Sequence, residues 1–201
     1  MRFEIAVIGT SLGGLQALEV ILPGLPKSLP IAIAIAQHRH KTSDGELIDY
    51  LRQQSLLPVV EAEDKQPIVA GKVYLAPADY HLLVEPGHFA LSTEAPVSYA
   101  RPSIDVLFET TADAYGERVI GIILTGASDD GAQGLRKIKA YGGLAIVQEP
   151  ATAVSRTMPD AAIAAVNAAK IIPMFQIPPF LVNLCSSSSL GINCYYNSSE
   201  G

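Results

Sequence analysis

The stretch Ile5-Ala6-Val7-Ile8-Gly9-Thr10-Ser11-Leu12-Gly13-Gly14-Leu15-Gln16-Ala17-Leu18 constrains the fold more than any other part of the chain. An apolar run stops at glycines and restarts with helical spacing, the pattern of a strand that turns tightly into a helix. Within it, Gly9-Thr10-Ser11-Leu12-Gly13 fits G-x-S-x-G, in which small neighbours let the turn push a hydroxyl out over a sheet edge. The same glycines suit a second use, a phosphate cradle, because a helix N-terminus offers free N–H groups and a positive dipole end to an anion. That use is the weaker one. The spacing of Gly9, Gly13 and Gly14 is not G-x-G-x-x-G, and no lysine follows as in a P-loop.

The strand–helix unit then recurs. Residues 31–36, Ile-Ala-Ile-Ala-Ile-Ala, have no polar face, as expected of a parallel strand covered on both sides. Together with a strand over 3–8 and a helix over 14–22, they begin a series that continues with a helix capped by Thr42, Ser43 or Asp44 and running to about 54. Short strands are expected at 58–60 and 73–75, and a hairpin at 81–84 and 88–91 around Pro86-Gly87. Arg101-Pro102-Ser103 opens a helix with Ile104, Leu107, Phe108 and Thr111 on one face and Asp105 in its first turn. A buried strand over 119–124 leads to a helix from Gly131 to 141, closed by Gly142-Gly143, and then to a strand over 144–148. An Ala-rich helix after Met158-Pro159-Asp160, a late strand at 170–172 and an apolar segment at 180–184 complete the series. The expected class is α/β: a doubly wound, mostly parallel sheet with helices on both faces (Rossmann-like), plus a small antiparallel hairpin. One domain is expected over 1–184, followed by a polar, disordered tail over 185–201.

Composition narrows the partners. Among 201 residues, 49% are hydrophobic and 17% charged, and the net charge is -6, so a phosphate-tracking nucleic-acid surface is not expected. No window approaches the roughly 20 apolar residues of a membrane span, and the start of the chain does not read as a signal peptide, so a cytoplasmic protein without membrane insertion is expected. Cys185 and Cys194 read as incidental thiols of the tail. A monomer is the default.

In open parallel sheets ligands bind beyond the carboxyl ends of the strands, which directs attention to reactive residues that follow strong strands. Ser11 follows the first, His38 the second, and Asp129-Asp130 the strand that ends at Leu124. A hydroxyl, an imidazole and a carboxylate are the nucleophile, base and orienting anion of acyl transfer. Their order, serine then histidine then aspartate, disfavours an α/β-hydrolase. Spacing does not choose between His38 and His40, or between Asp130 and Asp129, and it leaves Arg39-His40-Lys41 as a solvated loop.

With these residues stand Ala62-Glu63-Asp64, Val73-Tyr74-Leu75-Ala76-Pro77, His81-Leu82-Leu83-Val84, Arg101-Pro102-Ser103-Ile104-Asp105, Leu124-Thr125-Gly126 and Met158-Pro159. In order and spacing the set resembles the catalytic domain of the chemotaxis protein-glutamate methylesterases. The resemblance implies hydrolysis of glutamyl methyl esters, and deamidation of glutamines in some members, on the cytoplasmic helices of methyl-accepting receptors. It implies Ser11 as nucleophile, His38 as base and Asp130 as orienting acid, with no metal or organic cofactor. Leu12, Ala127 and Met158 are expected as oxyanion and pocket positions; read from the residues themselves, Asp129 is the expected helix cap, and His81 and His88 are packing or surface residues of the hairpin. Leu12 stands where a threonine is common in the family, Ala127 and Ser128 where methionine and glycine are usual, and Thr157 where glycine precedes Met-Pro. These departures suit an alternative, a domain of the same fold that binds a signalling partner without hydrolysis. The family's receiver domain is not expected in this polypeptide, which leaves room for a separate receiver or kinase partner.

Overall fold

The computed structural model describes residues 3–39 and 46–186. His40, Lys41, the proposed caps Thr42, Ser43 and Asp44, Cys194 and most of the expected tail lie outside the described residues.

The first apolar run forms β1 (Ile5–Thr10), and the backbone at Gly13 (φ 82) turns it into α1 (Gly14–Ile21). The alternating run forms β2 (Ala32–Gln37), parallel to β1 from Ile5↔Ala32 to Thr10↔Gln37. Both strands run past the apolar stretch into polar residues. Thr10 stays in the buried strand because its hydroxyl donates to the Thr125 carbonyl at 2.9 Å. There follow α2 (Glu46–Gln54), β3 (Val59–Glu61), β4 (Val73–Leu75), β5 (His81–Glu85), β6 (His88–Ser92) and α3 (Ile104–Tyr115). The second half comprises β7 (Val119–Ile123), α4 (Ala132–Ala140), β8 (Leu144–Gln148), α5 (Thr157–Ala165), β9 (Lys170–Ile172) and α6 (Ile177–Ser186).

Seven strands form one parallel sheet in the order β3-β4-β2-β1-β7-β8-β9, while β5 and β6 pair antiparallel as a separate hairpin. This is the doubly wound fold the strand pattern predicts. Alternation divides each strand between two cores: Ile33 and Ile35 of β2 face α1, α2 and α6, while Ala32, Ala34 and Ala36 face the layer of α3 and the hairpin. The small side chains on that second face let bulky residues such as Phe89 and Phe108 come close to the sheet. Gly9 shows the same closeness at the end of β1, where a Cβ would stand 2.2 Å from Ile104 Cγ2. The start of α3 therefore lies directly against the strand that carries Ser11.

Three local expectations are corrected. Helix α5 starts at Thr157, so Met158 and Pro159 lie inside its first turn, where the missing proline N–H costs no helical bond. Helix α6 runs to Ser186, and Cys185 is a buried core residue whose thiol burial pushes to a higher pKa, not a thiol of the tail. The N-cap of α4 is Gly131 (φ 97) with no side-chain cap, and Asp129 is exposed, so Asp129 does not cap that helix. Among the described residues no helix is long and apolar enough to cross a membrane.

Candidate active site

Strand order reverses at β1, which sends the chain outward through β2 and later returns it to the other flank as β7. Such a switch point opens a crevice at the carboxyl ends of the strands. Ser11 and His38 each stand one residue beyond the Thr10↔Gln37 pair. The His38 N–H donates to the Thr10 carbonyl and the Ser11 N–H to the Thr125 carbonyl, both at 3.0 Å. With neighbouring strands about 4.8 Å apart, the two residues are neighbours across the sheet edge. Both are partly exposed.

Asp130 reaches the same edge from the loop between β7 and α4 and has no solvent exposure. Its Oδ2 accepts from His38 Nε2 at 2.7 Å and from the Ile104 N–H at 2.7 Å. Its Oδ1 accepts from Ser103 Oγ at 2.9 Å and from the Asp105 N–H at 3.0 Å. These donors belong to the first turn of α3, where unpaired N–H groups and the helix dipole favour an anion. Burial alone would raise the Asp130 pKa; the His38 hydrogen bond and the Asp105 and Ile104 N–H groups outweigh it and hold the carboxyl below its ordinary range. An ionised Asp130 fixes the proton of His38 on Nε2 and leaves Nδ1 as the basic nitrogen.

Two supporting residues were not assigned a role in the site from sequence. Ser103 caps α3, its Oγ accepting from the Val106 N–H while donating to Asp130. His81 is buried; its Nδ1 accepts the Ser103 N–H at 3.2 Å and its Nε2 donates to the Ala95 carbonyl at 3.1 Å, so it packs and braces the loop before α3. The Ser-x-x at a helix start was a visible capping signal; its bond to a carboxylate 27 residues away was not. His88 is a partly exposed hairpin residue paired with Glu85 at 2.9 Å.

The pocket positions separate. Leu12 is 58% exposed, and its N–H makes no hydrogen bond among the described residues. Ala127 is exposed on the loop after β7. Met158 is buried with its thioether against Gly126, next to the Ser11 Cβ, and its N–H donates to the Gly126 carbonyl at 2.9 Å. A cleft of ≈ 300 Å³ opens beside His38, lined by His38, Arg39, Asp79, Tyr99 and Arg101 among others. Arg39 corrects the solvated-loop reading, since its side chain is only 6% exposed. Among the described residues no three His, Cys, Asp or Glu side chains gather to hold a metal ion.

Fold and site together define a class: a doubly wound α/β domain with serine, histidine and a buried aspartate gathered at its switch point. The family described as CheB methylesterase matches residues 6–181, and the chain belongs to that family. A relative from Leptospira interrogans is 46% identical over 92% of this chain and 96% of its own length. The protein-glutamate methylesterase/protein-glutamine glutaminase of Thermotoga maritima is 36% identical over 90% of this chain, which spans 54% of that relative. The crystal structure of the Thermotoga maritima CheB methylesterase catalytic domain superposes with a TM-score of 0.86 at 36% identity, covering 92% of this chain and 100% of that one.

Proposed function

We propose that this chain is a protein-glutamate methylesterase that hydrolyses glutamyl methyl esters on chemotaxis-type receptors, with Ser11 as nucleophile, His38 as base and Asp130 as the orienting acid. The observation that carries the reading is an imidazole fixed by a buried, four-bonded carboxylate immediately across the sheet edge from Ser11. Ser11 Oγ attacks the ester carbonyl while His38 Nδ1 takes its proton; the tetrahedral intermediate collapses, the carbon–oxygen bond to methoxide breaks, and His38 returns the proton to release methanol. Water, deprotonated by His38, then hydrolyses the acyl-serine to glutamate. The Leu12 N–H, free among the described residues at the turn into α1, is the oxyanion donor. Only the backbone of Leu12 is needed for that role, so the change from threonine leaves it intact.

The relatives' names carry a glutaminase activity as well, and the same acyl-serine route serves an amide with ammonia leaving in place of methanol. On this reading the domain works in the cytoplasm, as a monomer acting on its substrate in trans. The test is methanol release from a methylated receptor fragment, with labelling by a fluorophosphonate serine probe. Ser11→Ala is expected to abolish labelling and to lower release by at least about a hundredfold. Near-normal release by folded Ser11→Ala refutes the assignment.

A further inference from the structure

Two arginines, Arg39 and Arg101, line the cleft beside His38, and they differ in what they have left to offer. Arg101 is consumed by two loops: Nε and Nη2 donate to Asp79 Oδ1, between β4 and β5, at 3.1 and 2.6 Å, and Nη1 to the Thr93 and Glu94 carbonyls of its own loop at 2.7 and 2.9 Å. Among the described residues Arg39 is anchored through Nη2, to Glu61 and to the Ala76 carbonyl. Its Nε is buried and has no hydrogen-bond partner among the described residues, on a side chain that is 94% buried. A buried donor left unmade is costly, and the charge it carries makes an anionic acceptor its best partner.

Resting on the methylesterase reading, we propose that Arg39 is a specificity-determining residue that receives the carboxylate of an acidic side chain standing near the esterified glutamate in the substrate segment. Arg39 follows His38 directly, and both line the cleft, so a group bound there stands beside the imidazole that serves the reacting ester. Side chains one helical turn apart have Cβ atoms about 5–6 Å apart, a separation that a cleft of ≈ 300 Å³ accommodates. The volume suits one or two substrate side chains and not a large cofactor.

The experiment uses the full chain and two helical peptides, each with one γ-methyl glutamate. One peptide carries glutamate four residues from the ester and the other glutamine. Wild type is expected to prefer the glutamate peptide about tenfold in kcat/KM, chiefly through KM, as one charge-assisted hydrogen bond allows. In Arg39→Met the ratio falls to about one, and in Arg39→Lys, which keeps the charge without the Nε donor, it is intermediate. A wild-type ratio of one, or a ratio that survives in Arg39→Met, overturns the proposal. Using a ratio removes any general loss of folded enzyme. Anisotropy titration of the same peptides with Ser11→Ala gives the comparison without turnover. Binding discrimination without hydrolysis by wild type therefore sinks the methylesterase reading alone, while hydrolysis without discrimination sinks the Arg39 proposal alone.

Discussion

Asp130→Asn separates a carboxylate held by geometry from a side chain that is merely polar and buried. Each oxygen of Asp130 accepts one backbone N–H, from Asp105 at Oδ1 and from Ile104 at Oδ2, besides Ser103 Oγ and the His38 ring. An asparagine has one oxygen and one NH2 group, so either orientation sets an N–H against a backbone N–H. Two charge-assisted bonds of about 1.5–3 kcal/mol each are lost and a buried donor is left unpaired. The expected destabilisation is about 3–5 kcal/mol, the range for breaking one partner of a buried pair. Domains of this kind are stable by about 5–15 kcal/mol, so the shift in a urea unfolding midpoint is large and readily measured. Ser103→Ala supplies a graded control: it removes one of the four bonds together with the α3 cap and should cost about 1–2 kcal/mol. The folded fraction of Asp130→Asn should react with the fluorophosphonate probe about a thousandfold or more slowly, because His38 loses the anion that sets its tautomer. An Asp130→Asn protein within about 1 kcal/mol of wild type would refute the four-bond account of the site.

Asp105 should show the opposite pH behaviour to Asp130. Burial first, and then the Asp130 and Glu109 charges, push its pKa up to about 6 against the Gly134 N–H, so its contribution to stability is present below the unfolded pKa of about 3.9 and is lost as pH rises through about 6. Asp130, held low, contributes above the unfolded value and loses that contribution as pH falls through its folded pKa. Asp105→Asn, still able to accept from Gly134, should be more stable than wild type by about 1–3 kcal/mol at pH 7.5 and nearly equal at pH 4; an unchanged difference in urea midpoints across that range contradicts this. Gly9→Ala drives a methyl into Ile104 at the start of α3 and should cost about 1–3 kcal/mol while slowing probe labelling. Adding Ile104→Ala should recover part of that labelling, and strictly additive losses in the double variant count against the contact.

The parallel sheet was legible because its strands are apolar on both faces, and the division of Ile33 and Ile35 from Ala32, Ala34 and Ala36 between two cores is the alternation of the sequence itself. Ser11 was legible as a candidate because it is the first residue beyond a strand end at the switch point, whereas His38 was preferred to His40 only through the family resemblance. Asp130 was not separable from Asp129 by spacing, since both lie in one loop. What separates them is the N-terminus of α3, whose donors come from residues 25 to 27 positions away. Arg39 looked solvated beside other charged residues, and nothing local announces the Ala76 carbonyl and Glu61 that bury it.

The deepest omission concerns Asp105, read as a favourable first-turn charge of its own helix. It instead accepts the Gly134 N–H of α4 at 2.7 Å, while Asp130, just before α4, accepts the first N–H groups of α3. Each of two adjacent helix N-termini thus holds a carboxylate supplied by the other's segment. Two buried carboxylates this close do not both remain easily ionised, and the resulting split is uneven. Asp130, with more donors and the His38 ring, keeps its charge, while Asp105 takes the larger cost and rises to about 6. The exchange ties α3 to α4, so the anion that orients His38 cannot move unless the packing of both helices moves with it. Rigidity at the site is therefore a property of the helix pair, which is why no single motif in the chain displays it.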